Sequence, residues 1–139
     1  MGKEPMSTAF NGFITAIPSY IELLNGNIED ETLDYSLESL EILENHLSTL
    51  LDSSNPNIDL NEFFIWSAAY IGEMVKSKLN GEWALDLDIE NYEYGYPMIV
   101  KMDGFDEDYG YCPFMPLFNF KRNRRDKAIR TAVEYLFED

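Results

Sequence analysis

Residues 63–89 read FFIWSAAYIGEMVKSKLNGEWALDLDI, and one change of period inside that run sets the fold class. Up to Leu79 the residues are apolar on nearly every side of a helix, with Glu62, Glu73, Lys76 and Lys78 as the clear charged exits. A helix of that composition belongs in the middle of a domain. After the stop signal Asn80-Gly81, Trp83, Leu85, Leu87 and Ile89 alternate with Glu82, Ala84, Asp86, Asp88 and Glu90. Period two marks a strand with one buried face. Upstream, Asp59-Leu60-Asn61-Glu62 has the capping pattern that opens a helix. Gly72 predicts that another backbone or a ring comes close, because an interior helical glycine otherwise costs about 1 kcal/mol.

Toward the N-terminus, Ser7 predicts the cap of a helix running to about Asn25, kinked or split at Pro18. Phe10, Phe13, Ile14, Ile17, Ile21 and Leu24 form its apolar stripe. A second helix is expected to carry Glu29, Asp30 and Glu31 in its first turn, where they complement the helix dipole. Its buried stripe is Leu33, Leu37, Leu40, Leu43, Leu47 and Leu50, and Asp34, Glu38, Glu41 and Glu44 are expected to face solvent. The short connection between the two predicts a helical hairpin.

Toward the C-terminus, a second alternation covers Tyr92, Tyr94, Tyr96, Met98, Val100 and Met102, with Pro97 marking an edge or a strand start. Asp103-Gly104 is a turn signal. Tyr109 to Phe114 reads as a third strand, residues 113–120 as a strand or a short helical turn opened by Pro113, and residues 124–137 as a closing helix. Helices followed by a small antiparallel sheet and a last helix make an α+β domain. Residues 1–139 are expected to form that one domain, mainly helical over 1–80 and mainly β over 82–120, with the sheet lying on the third helix.

Charge is distributed unevenly along this frame. The 139 residues carry a net charge of -16, and between Lys3 and Lys76 there are 13 acidic residues and no lysine or arginine. Phosphate and anionic-membrane contacts need clustered bases, so the first half is expected to bind neither nucleic acid nor membrane. The acidity does not signal disorder, since 45% of residues are hydrophobic and 14% aromatic, enough to build a core. No apolar run reaches the length of a membrane span. A signal peptide is not expected, because Asn11, Thr15 and Pro18 interrupt the first apolar stretch. One cysteine, Cys112, fits a reducing compartment and points to the cytoplasm.

Few residue types carry chemistry. His46 is the only histidine and reads as a boundary residue; Cys112 reads as buried and structural. The acidic clusters Asp86/Asp88/Glu90/Glu93 and Asp103/Asp106/Glu107/Asp108 lack the EF-hand spacing. No cofactor or metal is expected. Lys121, Arg122, Arg124, Arg125, Lys127 and Arg130 hold six of the ten bases, and they are expected to lean on acidic residues of the same chain or of a second copy.

Ala69, Tyr70, Gly72 and Glu73, then Gly81 and Trp83, then Pro113 and Phe114, follow a loose pattern across residues 63–116. In it the chain resembles small bacterial α+β domains, some of which are similar to immunity proteins that neutralise toxins of competing bacteria. The resemblance implies no catalytic residues, and it implies that the Gly and Trp positions determine the fold. Three functions follow as expectations. The first is an acidic domain that blocks a basic protein partner, such as a toxin, through Asp34, Glu38, Glu41, Glu44, Tyr92, Tyr94, Asp106, Glu107 and Asp108. The second is a scaffold or adaptor with no toxin partner. The third is an enzyme whose carboxylate-based site gathers Tyr70, Glu73 and an acid of the sheet.

Overall fold

The computed structural model describes residues 3–28, 33–52, 59–85 and 95–137. In chain order these form helices α1 (Lys3–Asn27), α2 (Leu37–Asp52) and α3 (Leu60–Leu79), and strands β1 (Glu82–Leu85), β2 (Pro97–Val100) and β3 (Gly110–Tyr111). Helices α4 (Met115–Arg122) and α5 (Ala128–Glu134) follow, and a 3₁₀ turn over Tyr135–Phe137 ends the described chain. The strands form one antiparallel sheet in the order β1-β2-β3. The architecture is the expected α+β.

Helix α3 is the centre. Ten of its twenty residues are buried, from Phe63 to Val75, and α1, α2, α4, β1 and β2 all pack on it. Asp59 caps it, its carboxylate accepting from the amides of Asn61 and Glu62. Asn80 ends it in the left-handed conformation at φ 51°. α1 lays Phe13, Ile17 and Leu24 toward the core. It runs unbroken through Pro18, and it begins at Lys3, so Ser7 lies inside the helix instead of capping it. Pro18 is exposed, so the missing amide hydrogen bond falls on the solvated side.

α2 starts later than the acidic signal at Glu29–Glu31 implied; those three residues lie outside the described chain. Its cap is local to the helix itself. The Ser36 hydroxyl accepts from the Ser39 amide at 3.2 Å, and Asp34 accepts from the Ser36 amide at 3.1 Å. This entry is locked to α3 by Tyr70. The Tyr70 hydroxyl accepts from the Tyr35 amide at 2.7 Å and shares a hydrogen bond with Ser39 Oγ at 2.6 Å. Tyr35, forced to φ 64°, stacks its ring on that of Tyr70 at 4.7 Å. From there α2 runs against α3 and α5.

The sheet meets α3 at Gly72. A Cβ at that position would overlap the Trp83 indole, so the glycine makes room for the ring, as the interior glycine predicted. The next residue completes the joint: Glu73 Oε2 accepts from Trp83 Nε1 at 2.8 Å. Trp83 is opposite Ile99 in the register, and Ile99 is opposite Tyr111, giving one cross-strand row. Pro97 is the first residue of β2, where a strand tolerates the loss of an amide. β2 and β3 are shorter than the alternation implied, and residues 86–94, which carry the rest of the first alternation, lie outside the described residues. β1 is described only to Leu85, β2 spans four residues, and β3 spans two. The closing helix is likewise shorter, with Arg124 and Arg125 in the turn that precedes it.

Gly72→Ala should therefore lose roughly 1–3 kcal/mol of unfolding free energy through overpacking. Gly12, also helical, meets nothing within 4 Å of an added Cβ. Gly12→Ala should stabilise the protein by up to about 1 kcal/mol. Urea unfolding of the two variants checks this opposition of sign.

Candidate functional site

The acidic stripe of α2 is where structure and expectation part. Glu44 is buried at 5% exposure, not turned to solvent. Its two carboxylate oxygens accept from the amides of Lys127 at 2.8 Å and Ile129 at 2.9 Å. It thereby caps the N-terminus of α5, where the preceding residue, Lys127, sits at φ 59° and offers no side-chain cap. An orphan amide pair and a buried carboxylate satisfy each other. Glu41 is bonded by Arg130 and lies 3.8 Å from the Lys127 ammonium. Glu38 lies 3.8 Å from Arg130, which also meets Glu134 at 3.5 Å. Farther along, Arg124 bonds Asp52 at 2.7 Å and also the Ser48 hydroxyl and carbonyl. That contact holds the Asp52 carboxyl below its ordinary range.

Three of the acids expected to meet a partner, Glu38, Glu41 and Glu44, are thus engaged by the C-terminal bases or backbone of the same chain. That outcome was expected of the basic run; Glu44 is withdrawn from solvent and Glu41 is paired, while Glu38 stays exposed as expected. Asp34 is exposed, and its hydrogen bonds with Ser36 lower its pKa. Tyr92 and Tyr94 lie outside the described residues. Tyr96 is half-buried against the rings of Phe114 and Phe118 at 5.4 and 5.7 Å.

The β2–β3 loop presents a different surface. Its start is pinned to the end of α3: the Asp103 amide donates to the Leu79 carbonyl at 2.8 Å, and Asn80 Nδ2 donates to Asp103 Oδ2 at 2.7 Å. Gly104, at φ 86°, makes the turn possible. Phe105 and Tyr109 stack at 4.9 Å with an interplanar angle of 17°. Between them Asp106, Glu107 and Asp108 are all exposed. No ion pair engages these three carboxylates among the described residues. Tyr109 and Tyr135 share a hydrogen bond between hydroxyls at 2.9 Å, and Tyr135 remains 47% exposed. The result is an acidic row edged by aromatic rings. Phe105 and Tyr109 flank the acids in the sequence, and Tyr135 joins them only through the fold.

A second concavity, apolar and about 660 Å³, lies between α1 and the start of β2, where Phe10, Phe13, Tyr20, Tyr96, Pro97 and Phe114 contribute. Among the described residues no charged side chain lines it.

The residues expected to form a carboxylate-based enzyme site are used structurally. Tyr70 binds Tyr35 and Ser39, and Glu73 binds Trp83. Among the described residues no cluster of His, Cys, Asp and Glu is arranged to hold a metal ion. Cys112 is buried. His46 tilts against Phe63 at 5.3 Å, and burial lowers its pKa below the ordinary 6.5. No family model, curated protein or solved structure matches the chain.

Two outcomes follow. Glu44→Ala should cost about 2–3 kcal/mol by leaving two amides without an acceptor, while Glu38→Ala should stay within about 0.5 kcal/mol. Denaturant midpoints measure both. The second concerns pH. The lowered folded pKa of His46 means that the unfolded chain binds this proton more readily. Its contribution is therefore complete above about pH 6.5 and declines as pH falls through the unfolded value toward the folded one. His46→Phe should flatten the stability profile between about pH 7.5 and 5.5, where no other side chain has its ordinary titration.

Proposed function

We propose that the chain is a non-catalytic, acidic protein-binding domain. Its contact surface is the β2–β3 loop, with Asp106, Glu107 and Asp108 framed by Phe105, Tyr109 and Tyr135. The observation that carries this reading is the contrast between two sets of acids. Glu41, Glu44 and Asp52 of α2 are engaged by the protein's own bases and amides, whereas the loop acids are exposed and without ion pairs among the described residues. Carboxylates next to rigid rings suit a basic protein partner: charge speeds encounter and the rings supply contact area. Under this reading an immunity-type inhibitor that blocks a basic toxin by steric occlusion is the specific form we favour. A cytoplasmic setting accords with the single buried cysteine.

The test is calorimetry against the purified product of the neighbouring gene. A complex should weaken as salt rises from about 50 to about 300 mM, as screened charges must. The triple variant Asp106→Asn, Glu107→Gln, Asp108→Asn should weaken it about tenfold or more while leaving the melting curve unchanged. No complex, or one indifferent to both salt and the triple variant, would overturn the reading.

A further inference from the structure

Not all of the basic run is spent on α2. Arg124, Lys127 and Arg130 meet carboxylates, and the Lys121 ammonium lies 5.8 Å from the centre of the Phe64 ring. Arg122 and Arg125 are the remaining two, and no carboxylate pairs with either among the described residues. Both line one cavity of about 490 Å³ between α4 and α5. Asn119 and Asn123 add carboxamides to its wall, Pro116, Ala128 and Ala132 supply an apolar floor, and among the described residues no acidic one lines it. We propose that this cavity is a binding site for a small phosphomonoester with a flat apolar body, held by the guanidinium groups of Arg122 and Arg125.

The charge match selects a phosphate. A phosphomonoester carries about -1.5 to -2 charges and three terminal oxygens at neutral pH, which two guanidinium forks can meet, whereas a carboxylate satisfies one. Arg122 is partly organised in advance: its Nη2 donates to Asn119 Oδ1 at 2.8 Å, which fixes one edge of the fork and leaves further N–H groups for a ligand. The volume selects a body beyond the phosphate. About 490 Å³ falls within the range of small-molecule sites and far exceeds what a phosphate ion fills. The small side chains of the floor leave space against which a ring can lie. The net -16 opposes an approaching anion at long range. Screening confines that repulsion to about 8–10 Å at physiological salt. Within residues 121–130 the balance is six bases to one acid.

Isothermal titration of the full chain with phenyl phosphate, inorganic phosphate and benzoate tests the assignment. Phenyl phosphate should bind saturably and more tightly than either of the other two. The double variant Arg122→Gln, Arg125→Gln should weaken it about tenfold or more. Arg122→Lys should also weaken it, because charge is kept and the fork is lost. Near-UV circular dichroism verifies that each variant is folded, and Arg125→Gln alone serves if the double variant is not. Absence of saturable phenyl phosphate binding, or binding unchanged in the folded arginine variants, overturns the site. Benzoate binding as tightly overturns the choice of phosphate, and inorganic phosphate binding as tightly overturns the apolar floor.

Discussion

The fold rests on bringing the positive charge of residues 121–130 to a helix that has none. Between Lys3 and Lys76 the chain holds 13 acids and no base, so α2 contains nothing that offsets its own carboxylates. α5 supplies the offset from more than 80 residues away in sequence. The exposed pairs are worth little singly, about 0–1 kcal/mol each. Glu44 differs because it is buried and bonded to two backbone amides. Removing it would strand those donors, so the contact specifies where α5 begins as well as where it lies.

The second organising contact is the joint between α3 and the sheet. Trp83 can approach α3 only because residue 72 has no side chain, and its indole N–H is then satisfied by the adjacent Glu73. Three short sequence features therefore act together: a glycine in a helix, the acid after it, and the tryptophan two residues past the helix stop. The sheet is small, with strands of four, four and two residues. Its stability comes from packing on α3 more than from its own ladder.

Features governed by local chemistry were legible in the sequence. The Asp59 cap, the Asn80 stop, Pro97 at a strand start, the turn at Gly104 and the close approach at Gly72 each follow from what a single residue can do. Helix α4 was only partly legible: residues 113–120 allowed a strand or a helical turn, and the helix begins at Met115 with Pro116 inside it. What failed depended on partners distant in sequence. Glu44 shares its three-to-four spacing with Glu38 and Glu41, and that spacing predicts a solvent-facing stripe. Only the α5 amides, 83 and 85 residues on, make its burial favourable. The start of α2 was misread because Glu29–Glu31 are a stronger compositional signal than Asp34-Tyr35-Ser36. Yet Ser36 supplies the cap, and Tyr70 fixes the backbone that leads to it. Of the rings beside the acidic loop, Tyr135 was hidden for the same reason, since it reaches Tyr109 across 26 residues.

That last contact connects the acidic loop to the charge network. Tyr109 is hydrogen-bonded to Tyr135, and the Tyr111 hydroxyl donates to the Ala132 carbonyl at 3.2 Å. Burial raises the pKa of both Tyr111 and Tyr135, so their hydroxyls stay protonated through the physiological range and the bonds persist. One end of the loop is thereby tied to α5 and the turn that follows it, and the other end to the C-terminus of α3 through Asp103. α5 in turn is held at its start by Glu44. The carboxylates that α2 spends internally thus help to fix the position of those displayed at residues 106–108. A binding surface held in this way loses little conformational entropy when a partner arrives, and contacts between rigid groups then yield more net affinity.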